Sequence, residues 1–451
     1  RYLAEFNMGY NGTENFAKGK RFGFFPAVSL GWVISEEKFF PKNNIVKYLK
    51  VRGSYGEVGN DQIGGDRFLY LPSSYGAASD SGVNKYKFGL ASNPYTSLMI
   101  VENKIGNPDL TWEKAKKMNV GVDINLFNNC LTASFDIFKE KRNNILANRS
   151  TSPMIIGANL PAYNFGEMEN RGWEMDLNFR HHIQDFHYWA RFNYSFARNE
   201  IIYMDEVQKR YDYQMTTGRR KNQFFGLIFD GYYNSWEEIN ALDRPKSSWS
   251  GNQLQPGDVK YIDVNQDGVI DDYDMVPIGY TPVPEIIYGF SFGAQYKGFD
   301  FSILFQGADN VSIKYFGRSM WPFAKGEESA KSLIKERWTQ ERYEAGEKIT
   351  FPRLSLNPNG ETDHNYRPST LWIRDASYLR LKNLEVGYTF TGGFVKRLNL
   401  NSVRLYFNGS NLFTWTDVVD LDPEAPSRSG NVEINTYPLQ KVYNIGLNIN
   451  F

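Results

Sequence analysis

The chain has 451 residues, with 51 Lys plus Arg balanced by 51 Asp plus Glu, so no net field argues for a nucleic-acid partner. The single Cys130 excludes an internal disulfide framework and any multi-cysteine metal site, and four histidines are too few and too scattered for a histidine-rich one. Mean hydropathy is −0.51 and no apolar run approaches the ~18 residues of a membrane helix, which leaves open a barrel, whose strands alternate lipid-facing and lumen-facing residues.

Period-2 alternation is the dominant pattern along the chain. Near the start, Leu49, Val51 and Tyr55 alternate with Lys50, Arg52 and Ser54. Met118, Val120, Val122, Ile124 and Leu126 then face one way, and Asn119, Gly121, Asp123 and Asn125 the other. After a turn at 127–130 the pattern resumes with Leu131, Ala133, Phe135 and Ile137, which predicts a hairpin with one apolar and one polar face. The unit recurs. Trp173 to Phe179 turns into Tyr188 to Phe196, Tyr288 to Tyr296 turns at Lys297-Gly298 into Phe301 to Phe305, and Leu384 to Phe390 leads on to Val403 to Phe407. The chain ends on Tyr443, Ile445, Leu447, Ile449 and Phe451.

The connections fall into two sets that alternate. Short ones are expected around 36–46, 127–130, 181–186, 297–298 and 391–402. The other set, mostly long, lies around 11–22, 58–110, 143–167, 200–285, 309–375 and 414–440. Compact soluble domains avoid long loops, whereas outer-membrane barrels combine short periplasmic turns with long extracellular loops. The pattern therefore predicts an all-β, transmembrane antiparallel β-barrel segment of about twelve strands, each near the ~9–11 residues that cross the hydrocarbon. A secreted sandwich would also alternate, but without this loop asymmetry. Residue 1 already lies inside an alternating pattern, so the chain is expected to be a piece of something longer.

One motif stands apart. In "DVNQDGVIDDYD", Asp263, Asn265, Asp267, Asp271 and Asp274 occupy positions 1, 3, 5, 9 and 12 of a calcium loop, with Gly268 at the sharp turn and the Val269 carbonyl at position 7. Pro256, Gly257 and Pro277 flank it, so no helix pair is expected, and the role would be to stiffen the loop. Asp274 stands where the bidentate glutamate usually does, and its shorter side chain weakens that ligand. A metal-free acidic turn is the competing reading. Catalysis finds no support: His181, His182 and His187 lie at one short turn, His364 is isolated, and no HExxH, GxSxG or P-loop occurs.

Several stretches resemble the SusC/RagA-type TonB-dependent transporters of the Gram-negative outer membrane: "RFGFFPAVSLGWVISEEKFF" (21–40), "NRGWEMDL" (170–177), "LRLKNLEVGYTF" (379–390), "NLFTWT" (411–416), "DPEAP" (422–426) and "YNIGLNINF" (443–451). The most specific is 256–307, which contains the calcium-like loop. The resemblance covers essentially the whole chain. It implies a 22-stranded barrel with an N-terminal plug, of which residues 1–451 would be the C-terminal part, with the plug and first strands absent. A self-closing twelve-strand barrel is the minor alternative.

The resemblance further implies import of an oligomeric nutrient, a glycan first and a peptide second, beneath a SusD-like surface lipoprotein lid. TonB would act through the absent N-terminal region, and no enzyme activity, nucleic-acid partner or cofactor beyond calcium is implied. The alternative is a non-transporting surface protein that binds glycan through calcium-ordered loops. Extracellular aromatics that could stack on substrate are Tyr211, Tyr213, Tyr232, Tyr233, Trp236, Trp249 and Trp321, while Trp415 reads as interfacial girdle. For each of them, packing within the loops is the plainer reading. Lys50, Arg52, Glu174, Asp176, Arg180 and Arg191 are expected to pair inside the barrel, and Tyr443 with Phe451 resembles a barrel-assembly signal.

Overall fold

The structure is a computed structural model that describes residues 1–62, 67–71, 76–77, 85–90, 95–98, 100–101, 105–151, 160–249, 254–315, 321–323, 332–355, 363–419, 421–424, 431–432 and 438–451. Twelve strands form one antiparallel sheet in strict chain order. They are β1 (Tyr2–Gly12), β2 (Phe22–Val33), β3 (Val46–Asn60), β4 (Glu113–Leu126), β5 (Leu131–Ala147) and β6 (Tyr163–Ile183). β7 (Phe186–Tyr203), β8 (Ile286–Tyr296), β9 (Phe299–Asp309), β10 (Tyr378–Phe390), β11 (Ser402–Thr416) and β12 (Val442–Asn450) complete the set. Such a meander of neighbouring antiparallel strands is a barrel wall. Among the described residues no register joins β1 to β12, so the twelve strands form an open wall and not the self-closing barrel.

The alternation places each side chain as expected. Val120, Ile137, Leu405 and Ile445 stand exposed on the apolar outer face, where lipid replaces water. The opposite face carries Lys50, Arg52, Asp123, Ser134 and Asp136, which form one ion-paired cluster across β3, β4 and β5. Arg404 of β11 likewise pairs with Asp300 of β9 and Glu385 of β10. The expected pairing is incomplete elsewhere: Glu174 accepts from Ser195 at 3.3 Å with no ion pair among the described residues, and Arg191 lies over the Trp189 ring at 5.5 Å. Among the described residues Asp176 and Arg180 make no ion pair.

The turns follow their residues. Lys297 and Gly298 have φ of 44° and 92°, the left-handed pair that a two-residue hairpin requires, and glycine supplies the second without strain. From β3 onward long and short connections alternate as predicted, whereas the first expected long connection, 13–21, is shorter than the 34–45 connection that follows it, and the strands overrun the expected boundaries. β6 is 21 residues long and β5 is 17, because charged residues carry the alternation beyond the membrane. Much of the interior of the 58–110 connection lies outside the described residues. The connections 204–285 and 310–377 are not structureless. They hold paired ladders, Phe229–Tyr232 with Val259–Tyr261 and Ser312–Tyr315 with Ile373–Asp375.

Candidate functional site: a shared loop cap above a polar lumen

The long connections after β7, β9 and β11 share one apolar core. Leu227, Val259, Tyr261, Ile313, Trp338, Trp372 and Val418 are buried together, although they come from three separate loops. Burying such side chains contributes roughly 1.5–3 kcal/mol each, which orders loops that would otherwise lose too much entropy. The result is a cap with the interior of a soluble domain, set on a wall whose outer apolar face stands exposed.

A polar hub crosses this core. The Asp258 carboxylate is buried, pairs with Arg353 at 2.6 Å, and accepts from Asn365 Nδ2 at 2.8 Å and from the Gln255 N–H at 2.8 Å. Asn365 accepts from the Val259 N–H at 2.9 Å, and the Trp372 indole donates to the Asn365 carbonyl at 2.9 Å. His364 Nε2 lies 2.7 Å from the Val259 carbonyl, which can only accept, so Nε2 carries the proton. Nδ1 is then the acceptor facing the Ser247 hydroxyl at 3.0 Å. Burial holds the His364 imidazole below the ordinary histidine range; the hydrogen bond to Val259 and the charges of Asp258 and Asp363 pull the other way without reversing it. Burial raises the neighbouring Asp363 carboxyl.

A second cluster ties the cap to the wall. Arg380 of β10 is 2% exposed and lies 2.7 Å from Asp422 and 2.5 Å from Glu424. It also donates to Thr414 of β11 at 2.9 Å, while the Tyr378 hydroxyl donates to Glu424 at 2.6 Å. Asp422 accepts from the Leu439 N–H at 2.9 Å. Burial opposes ionisation of Asp422, but Arg380 and the backbone donors outweigh it and hold its carboxyl below the usual range. "LRLKN" and "DPEAP" are thus two halves of one contact, a link invisible in either stretch alone; Ala425 and Pro426 lie outside the described residues.

Below the cap, β4 to β7 and the 281–285 segment enclose a recess of about 390 Å³. Glu113, Glu140, Arg142, Asn170, Asn199 and Arg220 line it, and no aromatic residue does. Arg142 bridges Glu113 at 2.9 Å and Glu140 at 2.8 Å. Glu285, at its edge, is held by Arg198 at 2.8 Å and by Arg220.

The aromatics expected to meet substrate divide into two groups. Tyr232, Tyr233 and Trp321 are buried, and Trp249 packs against the shared core beneath Arg367, whose guanidinium lies 4.1 Å from its ring centroid. As placed, these four pack within the cap, because the long loops need a core and large rings supply it, and Tyr232 also lines a recess there. Trp236 is exposed on the short helix Trp236–Asn240. Tyr211 and Tyr213 stack at 5.2 Å, with Tyr273 edge-on to Tyr211 at 5.9 Å. Trp415 is exposed at the end of β11, as a girdle residue is, and Tyr443 and Phe451 are exposed at the last strand.

The acidic loop is closed by its own backbone. Asp263 accepts from the N–H groups of Gln266 at 2.7 Å and Gly268 at 2.8 Å, and Gly268 takes the predicted left-handed turn with φ 81°. Asp267 accepts from the Val269 N–H at 3.0 Å, and Asn265 donates to Asp267 at 3.0 Å. Asp271 and Asp274 form a reciprocal cap on the 272–274 turn. Fully buried Asp274 accepts from the N–H groups of Val264 at 2.8 Å and Asp271 at 2.9 Å, and burial raises its carboxyl. Both Asp274 oxygens thus accept backbone N–H groups. Among the described residues no three His, Cys, Asp or Glu side chains converge on a metal position. The loop is pinned from outside by Gln214 to the Asp272 carbonyl at 2.7 Å and by the Tyr213 hydroxyl to the Tyr273 carbonyl at 2.6 Å.

Comparison with known proteins agrees with this architecture. The chain is 27% identical over 470 residues to TonB-dependent receptor P3 of Formosa agariphila, covering 100% of this chain and 44% of that relative. It is 28% identical over 457 residues to TonB-dependent receptor SusC of Bacteroides thetaiotaomicron, covering 100% of this chain and 42% of SusC. The chain thus spans less than half the length of these curated relatives. Its fold matches the structure of the RagAB peptide transporter with a TM-score of 0.76 at 23% identity, over 100% of this chain and 46% of that one. The sequence model of one family, described as TonB dependent receptor-like, beta-barrel, matches residues 4–412. With twelve ordered wall strands, long loops on one end and this match over most of its length, the chain belongs to the TonB-dependent receptor family of outer-membrane β-barrels and is of SusC/RagA type.

Proposed function

We propose that the intact protein imports an oligomeric nutrient across the outer membrane, with residues 1–451 supplying the C-terminal part of a 22-stranded barrel. TonB acts through an N-terminal plug region, and a SusD-like surface lipoprotein closes over the cap. The observation that carries this reading is the cap itself: three loops sharing one core, clamped to the wall by Arg380, above a polar, ion-paired lumen. A rigid mouth over a wet channel suits capture and passage of a solute.

A peptide fits the recess below the cap better than a neutral glycan. Carboxylates and guanidinium groups line it, and they match amide, ammonium and carboxylate chemistry, whereas sugar rings favour aromatic platforms. The glycan reading keeps one specific support, the stacked Tyr211 and Tyr213 at the surface. Mass spectrometry of ligands released from the intact detergent-extracted complex, followed by uptake assays with and without TonB, tests both. Bound peptides with TonB-dependent uptake are expected. Recovery of glycans alone would reverse the substrate class, and ligand binding without TonB-dependent uptake would favour the non-transporting surface protein. Calcium at 263–274 is a proposal from ligand spacing. Terbium luminescence that saturates, and is lost in Asp267→Asn, would support it.

A further inference from the structure

The outer face of β4 to β7 changes character along a single row. On β7 the outward residues from Phe186 to Phe196 are predominantly aromatic. The ten residue steps from Phe186 to Phe196 climb ~34 Å along the strand, or ~24 Å in height at a tilt near 45°, which matches the apolar band of an outer-membrane barrel. The next outward residue is Arg198. Across the ladder it lies opposite Arg171 of β6, which in turn lies opposite Lys139 of β5. Three cations therefore stand side by side at the extracellular edge of the lipid-facing surface. Like charges directly opposite one another destabilise a sheet. Lys139 is relieved by Glu169 at 2.9 Å and Arg198 by Glu285 at 2.8 Å. Arg171 is exposed and, among the described residues, has no carboxylate partner. The row beyond is mixed, with Lys116, Lys141, Glu169 and Glu200.

We propose that Arg171, with Lys139 beside it, binds the phosphate of a lipid headgroup in the outer leaflet. The site faces lipid, sits at headgroup height, and offers a planar guanidinium fork suited to bidentate phosphate recognition. Trp173 and Phe196, directly opposite each other one row deeper, provide apolar surface for the acyl chains below such a phosphate. The proposal rests on the outer-membrane location and is independent of what the protein imports.

The test uses the intact protein in nanodiscs of phosphatidylcholine doped with bisphosphorylated lipid A or with its dephosphorylated form, and native mass spectrometry counts retained glycolipid. Wild type is expected to retain the phosphorylated form selectively. Each cation removed is expected to lower retention about fivefold, so that Arg171→Gln with Lys139→Gln lowers it about 25-fold. Arg171→Lys, which keeps the charge, is expected to lose less and serves if the double variant fails to insert. Equal retention by wild type and variants would overturn the proposal, as would equal retention of the dephosphorylated lipid. Displacement of the lipid by inorganic phosphate at matching concentration would make this a free-anion site and would also overturn it. Loss of a co-purifying protein, with lipid unchanged, would make it a protein contact instead.

Discussion

In the wall, Val120, Ile137 and Ile445 stand exposed on the outer face; in the cap, Val259, Trp338 and Trp372 are shut away from water. The same residue types obey opposite rules because the solvents differ. Lipid wets the outer face of the wall, so its strands need a satisfied hydrogen-bond ladder and no core. Water surrounds the cap, so its loops must bury apolar surface and satisfy whatever polar groups go in with it. Charge follows the same division. The wall's Arg52 and Arg404 clusters face the lumen and are partly exposed, whereas Asp258, Asn365 and Arg380 are almost wholly buried in or under the cap. Damage to one region should therefore leave the other standing, except where Arg380 joins them.

The largest effect is expected at that joint. Arg380→Ala leaves the largely buried Asp422 without its cation and Glu424 dependent on Lys382 at 3.4 Å, a loss of about 3–5 kcal/mol. Limited proteolysis should then cut the 417–441 connection while the barrel keeps its heat-resistant migration on gels; an unchanged cleavage pattern would refute the clamp. A wall-only break comes next. Val122→Arg places a charge near the middle of the outward row of β4 and is expected to cost about 2–4 kcal/mol in the bilayer, with cap proteolysis unaltered. Equal loss in both regions would mean that wall and cap fold as one unit.

The pH response separates them more gently. His364 is neutral in the folded cap, and its folded pKa lies below its unfolded value near 6.5. The unfolded chain therefore binds more protons, and stability rises with pH through this window. The cap's stability is full above the unfolded value. It falls as the pH drops below about 6.5, until the folded imidazole itself protonates. Raised Asp363 acts with the opposite sign and in the lower, carboxylate range. Hydrogen exchange of the cap should show this slope, His364→Gln should flatten it, and wall amides should not respond. The smallest expected change is Tyr213→Phe, which removes the hydroxyl that pins the acidic loop and costs about 0.5–1.5 kcal/mol. It should raise exchange at 263–274 alone.

Much of the wall was legible because its signal is local. Met118 to Leu126 states its two faces without reference to any partner, and Lys297-Gly298 announces its turn. Strand ends were less legible, because Lys139, Lys141, Glu167 and Glu169 continue the strands as ion-paired extensions that composition alone reads as loop. The site was hardest. Tyr232 and Trp321 carry the same rings as Tyr211 and Trp236, and nothing in their neighbours says which are core and which are surface.

By itself, then, the sequence determined the number and order of wall strands, their lipid and lumen faces, and the alternation of short and long connections, since a period of two is written between adjacent residues. Only the tertiary structure decided that the long loops share a core, that the acidic loop is closed by its own backbone, and that "LRLKN" meets "DPEAP". Asp258 and Asn365 are 107 residues apart in the chain and 2.8 Å apart in space. Contacts of that kind depend on how the whole sheet brings its loops to one end, and no local pattern records it.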